Sequence, residues 1–222
     1  CGFGESDSLP APYPHVMASA LHLAMLSSPQ FPVRLLGLVH LSNRIEVFTG
    51  LPKHGGGQLH AWLEGHDDGE RMQTFDLHTE WRDGATLRWR ELTRFIVKKP
   101  VSKREAAAVV ERPRPTSTTT IAVPAGLGRR YSRVGGDINP IHLFDVTAKL
   151  FGFERAIIHG MWTLARCVAE LKPTTPCVID VQFKRPVFIP STVTLERTPV
   201  PDGDDFAVVS EKVHLTGTVR RG

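Results

Sequence analysis

An apolar helix followed by several strand-length runs occurs twice along this chain, and that order limits the fold more than any other feature. In the second half Met161, Leu164, Ala165, Val168 and Leu171 recur at helical spacing, with Trp162, Cys167 and Ala169 on the remaining faces. A helix apolar nearly all round has to be buried. Strand-like runs follow at 178–183, 192–197, 206–210 and 213–219, with Pro201-Asp-Gly-Asp-Asp205 as a turn. The first half repeats this order. A helix rich in small residues is expected over 14–27, then strands over 38–48, 58–64, 72–81 and 86–97, with hairpin turns at 67–69 and 82–84. One buried helix followed by antiparallel strands is an α+β arrangement, and its recurrence points to a duplication.

Between the halves the pattern lapses. Residues 98–120 hold prolines, charges and a run of Ser and Thr without apolar periodicity, so a mobile linker is expected there. The resulting domains are 1–97, the linker 98–120, and 121–222. The chain starts at Cys1 without a methionine, as a fragment or a processed form would, so the first domain is expected to be incomplete at its start.

The densest chemistry lies at Tyr131-Ser-Arg-Val-Gly-Gly-Asp-Ile-Asn-Pro-Ile-His142. Asn139 has the character of a helix cap and Pro140 suits a first helical turn, so a helix is expected over 140–151, stopped by Gly152. Within one helix, side chains five residues apart would diverge by about 140°. Asp137 precedes the cap, however, so it sits in the approach loop while His142 is in the first turn. Such a pair can converge on one water, and a carboxylate and an imidazole sharing a water form a general acid/base pair. The plainer alternative is a helix start that happens to carry both. Farther on, Ile157-Ile-His-Gly-Met-Trp162 opens a second helix at a glycine, whose unpaired first amides suit a developing oxyanion.

Residues 131–165 resemble the signature of the MaoC-like, R-specific enoyl-CoA hydratases: Y-x-x-(V/L)-(S/G)-G-D-x-N-P-(I/L)-H, then G-F, then H-G-M. Here it reads YSRVGGDINPIH, then FGFERAIIHGM. More loosely, the whole chain is similar to the two-domain (3R)-hydroxyacyl-thioester dehydratases of actinobacteria. The resemblance implies a double hot-dog fold, in which each curved antiparallel sheet wraps around a central helix. It also implies a hydro-lyase of fatty-acid metabolism that hydrates trans-2-enoyl thioesters or dehydrates (3R)-hydroxyacyl thioesters. By it Asp137 and His142 are the catalytic pair and the Gly160 amide is the oxyanion donor. The Gly135-Gly136 pair stands where Ser-Gly is more usual.

Around that core, Asn139, Gly136, Tyr131 and His159 are expected to support the site. For Asn139 helix capping is the simpler account, for Tyr131 packing, and for His159 support of the loop. The first half lacks both motif pieces and is expected to be non-catalytic, completing the sheet and shaping an acyl pocket. Lys184 and Arg185 could meet a phosphate or could be an ordinary solvated strand end. Histidines 15, 22, 40, 54, 60, 66, 78 and 214 are scattered without metal-ligand spacing, so no metal site is expected, and no cofactor is expected either.

Composition narrows the class further. Across 222 residues, 41% hydrophobic and 23% charged is ordinary for a soluble globular protein. No apolar run reaches the ~20 residues of a membrane span. A formal charge of +4 is scattered, which disfavours nucleic acid, though a basic rim would suit the phosphates of CoA or an acidic acyl carrier protein. Three cysteines without metal spacing point to buried thiols in a reducing, cytoplasmic setting. A homodimer is compatible with all of this. The alternatives are a hot-dog acyl-thioesterase and an inactive acyl-binding partner subunit.

Overall fold

The structure, a computed structural model, describes residues 1–35, 37–54, 56–99 and 114–222. The first half runs α1 (Tyr13–Leu26), β1 (Val39–Val47), β2 (Gln58–Asp68), β3 (Met72–Asp83) and β4 (Thr86–Lys98). The second runs β5 (Ser117–Val123), α2 (Leu127–Gly135), a 3₁₀ turn (Pro140–His142), α3 (Asp145–Leu150), α4 (Gly160–Leu171), β6 (Cys177–Phe183), β7 (Ser191–Val200), β8 (Gly203–Val209) and β9 (Val213–Arg221). All nine strands form one sheet of order β2-β3-β4-β1-β6-β9-β8-β7-β5. The halves join where β1 pairs with β6 in antiparallel register, Ile45 opposite Ile179 and Asn43 opposite Val181. The architecture is the α+β arrangement expected from the repeated element order and the double hot-dog that the resemblance implies. Among the described residues no helix is long and apolar enough to cross a membrane.

Period-two alternation builds the inner face of this sheet. Val193 and Leu195 on β7, Phe206 and Val208 on β8, Leu215 and Val219 on β9, and Ile179 and Val181 on β6 are all buried. Against them α4 contributes Met161, Trp162, Leu164, Cys167, Val168 and Leu171 to one continuous core. Leu164 is fully enclosed, so its burial is worth about 1.5–3 kcal/mol. The burial of α4 on nearly every side is what its all-round apolar sequence required. Cys167 and Cys177 are buried and Cys1 is exposed, all three as free thiols.

Three local features differ from the sequence reading. Residues 117–120 were placed in the linker but form the start of β5, paired with β7 from Ser117 opposite Arg197. The Thr run that reads as linker is β-branched and suits an edge strand. At its other end Lys98 belongs to β4, and residues 100–113 of the expected linker lie outside the described residues. The turn at 201–205 is tighter than expected, because β7 reaches Val200 and β8 resumes at Gly203.

Third, the helix expected over 140–151 is broken. It makes a 3₁₀ turn, passes through extended backbone at Phe144, and restarts at Asp145. Tertiary partners cause the break. Arg129 donates to the Leu143 carbonyl at 2.9 Å and lies over the Phe144 ring, while Thr147 donates to the Pro140 carbonyl at 2.7 Å. Gly152 ends α3 at φ +81°, as its position suggested.

Candidate active site

Asp137 and His142 are held by opposite kinds of structure. Asp137 follows Gly136, which closes α2 in the left-handed region at φ +72°. Its Oδ1 accepts the Asn139 amide at 2.9 Å, fixing an Asx turn and leaving Oδ2 directed elsewhere. Asn139 caps the 3₁₀ turn, its side chain accepting from the Ile141 amide at 3.3 Å, and Pro140 takes the first helical position. The next residue but one, His142, turns its ring inward, where only 10% of the side chain remains exposed.

The tautomer of His142 follows from its partner. The Nδ1–H donates to the Ile157 carbonyl at 2.9 Å, so Nε2 presents a lone pair. That Nε2 lies 3.7 Å from Asp137 Oδ2, beyond a direct hydrogen bond. Both atoms can still reach one hydroxyl or water that lies to the side of the line joining them. Burial pushes the His142 pKa below its ordinary value, against the opposing pull of the Ile157 carbonyl and Asp137. The ring is therefore neutral near pH 7, able to accept a proton.

His159 is closer to this pair than the sequence could indicate. Its ring stacks on that of His142 with centroids 3.7 Å apart, and its Nε2 donates to the Asp137 carbonyl at 3.1 Å. Burial and the neighbouring imidazole lower its pKa to about 4, so the stacked rings are both neutral. The three ligand-type atoms of Asp137, His142 and His159 lie within 4.8 Å of one another. His159 Nε2 carries a proton for the Asp137 carbonyl, however, so this atom offers no lone pair to a cation. Tyr131 packs its ring against His159, and Ser132 Oγ stands 3.4 Å from His159 Nε2.

Gly160 opens α4 directly after His159. The amides of Trp162 and Thr163 are both taken by the His159 carbonyl, which leaves those of Gly160 and Met161 without a partner inside the helix. A Cβ at position 160 would stand 2.9 Å from the Phe183 ring, so the close approach of that aromatic wall requires glycine. Lys184 and Arg185 follow Phe183 immediately and are exposed.

Two contributors escaped the sequence reading. Helix α2 was missed because its glycines mask the Leu127, Tyr131, Val134 spacing, which was the available signal. It carries Tyr131, Ser132 and Gly128, the last so close to the His142 segment that a Cβ would meet the His142 carbonyl oxygen at 2.0 Å. The other is α1. Its Ser19 Oγ would lie 3.1 Å from a Cβ on Gly136, so the first half leans on the loop that presents Asp137.

Fold and site together define a double hot-dog protein with one motif-bearing half. Residues 104–219 match the model of the MaoC like domain, and the chain belongs to that family. It is 28% identical over 231 residues to 3-hydroxyacyl-thioester dehydratase X of Mycobacterium tuberculosis, covering 99% of this chain and 81% of that protein. The crystal structure of that protein, HtdX, superposes with a TM-score of 0.86 over 100% of this chain and 91% of the other. A shorter stretch is 38% identical over 71 residues to enoyl-CoA hydratase 2 of Arabidopsis thaliana, covering 29% of this chain and 23% of that protein. A 12:0-ACP thioesterase from Umbellularia californica is 11% identical with a TM-score of 0.60, covering 99% of this chain and 92% of that one, a likeness of fold alone.

Proposed function

We propose that this chain is a hydro-lyase that adds water to trans-2-enoyl thioesters and removes it from (3R)-hydroxyacyl thioesters, carried on CoA or an acyl carrier protein. The observation that carries the reading is the 3.7 Å gap between Asp137 Oδ2 and His142 Nε2, beside the ring of His159, the residue that leads into α4. In hydration the pair holds one water. One member takes a proton from it as the oxygen bonds to C3, and the π electrons shift through C2 to the thioester oxygen as an enolate. The Gly160 N–H stabilises that oxygen, where negative charge is greatest in the transition state. That same proton, passed within the pair, is then delivered to C2, so that the elements of water have been added and both groups return to their starting state. The protons belong to the coupled pair rather than to either group.

The supporting residues have defined tasks in this scheme. His159 fixes the Asp137 backbone, Asn139 caps the turn that carries His142, Gly136 provides the left-handed bend, and Tyr131 walls the stacked imidazoles. The first half, 1–97, lacks both the D-x-N-P-x-H and the H-G pieces and closes the acyl side of the site. Lys184 and Arg185 offer cations at the rim for an acidic carrier or CoA phosphates.

Incubation with crotonyl-CoA tests the reading. Loss of the conjugated enoyl absorbance without release of thiol is the expected result. Release of free thiol would assign a thioesterase instead, and tight acyl binding without either change would assign a partner subunit.

A further inference from the structure

The first half contains a feature that hot-dog packing does not call for. Partners across an antiparallel ladder share a face, and Ile45, Leu77 and Val181 mark the inner face as core. On that same face Asn43 stands opposite Thr93 and Val181, and Glu91 stands opposite Ile45 and Thr79. Glu91 has no exposed surface, and a carboxylate is costly to bury unless its oxygens are satisfied. They are satisfied here: His15 of α1 lies 2.9 Å from both oxygens, and Asn43 Nδ2 donates to Oε1 at 2.8 Å.

One atom of this network has no partner. A carboxylate only accepts, so the Asn43 NH₂ has to face Glu91, and its other hydrogen goes to Thr93 Oγ1 at 3.0 Å. That assignment leaves Asn43 Oδ1 as a buried acceptor unpaired among the described residues, on a side chain 1% exposed. An orphan acceptor calls for a donor. The network also borders the reaction centre. His15 is one helical turn before Ser19, the residue that leans on Gly136. The Asp137 carboxylate is near enough to act on His15, and Tyr131 feels both Glu91 and Asp137. A cation is a poor occupant, because His15 Nδ1 is engaged by Glu91 and His22 Nε2 is 2.7 Å from Thr79 Oγ1.

Resting on the hydratase reading above, we propose that Asn43, backed by Glu91 and His15, is the distal subsite for the acyl chain. It selects chains that carry a hydrogen-bond donor, a hydroxyl, beyond the reacting carbons. An unsubstituted alkyl chain would bury Oδ1 unpaired, and a site with a polar group left unpaired discriminates against the analogue that lacks its partner.

The test compares hexenoyl-, octenoyl- and decenoyl-CoA with their ω-hydroxy counterparts, using crotonyl-CoA as the reference for the basic reaction. For at least one chain length the hydroxylated substrate should lead by about tenfold in kcat/KM, the effect of one neutral hydrogen bond. Asn43→Leu should abolish that lead. Equal rates at every length with active crotonyl-CoA turnover would mean that the network only seats α1 on the sheet, and the inference would fall alone. Inactivity on crotonyl-CoA as well would remove the hydratase reading and this inference with it. A lead that survives in Asn43→Leu would assign the bond to another group and overturn the subsite. If Asn43→Leu fails to fold, the wild-type comparison decides by itself.

Discussion

Substituting Gly128 by alanine should disable the site without touching a reacting group. A Cβ there would stand 2.0 Å from the His142 carbonyl oxygen and 3.1 Å from Ile189 Cδ1. Ordinary contact begins at 3.4 Å, so α2 and the His142 segment would have to separate by 3.4 − 2.0 = 1.4 Å. Neither can yield harmlessly. Moving the His142 segment stretches its 2.9 Å bond to the Ile157 carbonyl and changes the 3.7 Å gap to Asp137. Moving α2 carries away Tyr131 and Ser132, which hold His159. A displacement near 1 Å costs on the order of 100-fold in rate, or about 2.7 kcal/mol of activation free energy. The stability loss should be smaller in proportion, about 1–3 kcal/mol for overpacking. Crotonyl-CoA hydration and thermal unfolding should be measured together, with Gly152→Ala as control. Gly152 is left-handed, at φ +81°, but a Cβ there meets open space, so that variant should lose about 1–2 kcal/mol of stability and no activity. A Gly128→Ala protein with wild-type rate and an unchanged thermal transition would refute the packing argument.

Leu164→Ala should destabilise by about 2–5 kcal/mol in denaturant titration, because the residue is fully enclosed in the main core. His159→Ala should lower kcat by about tenfold or more with little change in KM, since it releases the Asp137 backbone rather than a substrate contact, and steady-state kinetics would show the split. Stability should fall with acidification. Burial holds His22 and His159 at about 4 and His40 at about 3, against an ordinary 6.5. The unfolded chain then takes up protons first, so their contribution is intact above pH 6.5 and drains away as pH falls toward about 4, at about 1.4 kcal/mol per pH unit per group. His15 has the opposite sign: burial lowers it, but Glu91 more than offsets this, so its contribution is lost as pH rises through the raised value. His142 and His214 are lowered in the same sense, so the lowered histidines outweigh His15, and a melting temperature that rose as pH fell from 6.5 to 4 would contradict the assignment.

Much of this fold is readable from local pattern because its determinants are local. The alternation in β6 to β9 and the all-round apolar α4 each follow from burial on a known face. The Asp137–His142 spacing is likewise legible, since both residues sit on one short turn whose cap is spelled out by Asn139 and Pro140. What could not be read depends on distant partners. The break at Phe144 is made by Arg129 and Thr147, and the placement of His159 by a ring stack across 17 residues. The polar patch of the first half joins His15 to Glu91 across 76 residues, so its histidines look merely scattered in the sequence. Helix α2 and strand β5 were hidden for another reason: Gly and Thr have weak or ambiguous preferences that only packing resolves.

The central claim is that Asp137 and His142 act as one unit on one water. Asp137→Asn, His142→Ala and the double variant should be compared for crotonyl-CoA hydration, with circular dichroism to verify folding. Each single change should reduce kcat by about 100-fold or more, and the double change should cost little beyond the worse single, as residues acting together do. Fully additive losses, or a folded single variant at near wild-type rate, would contradict the account.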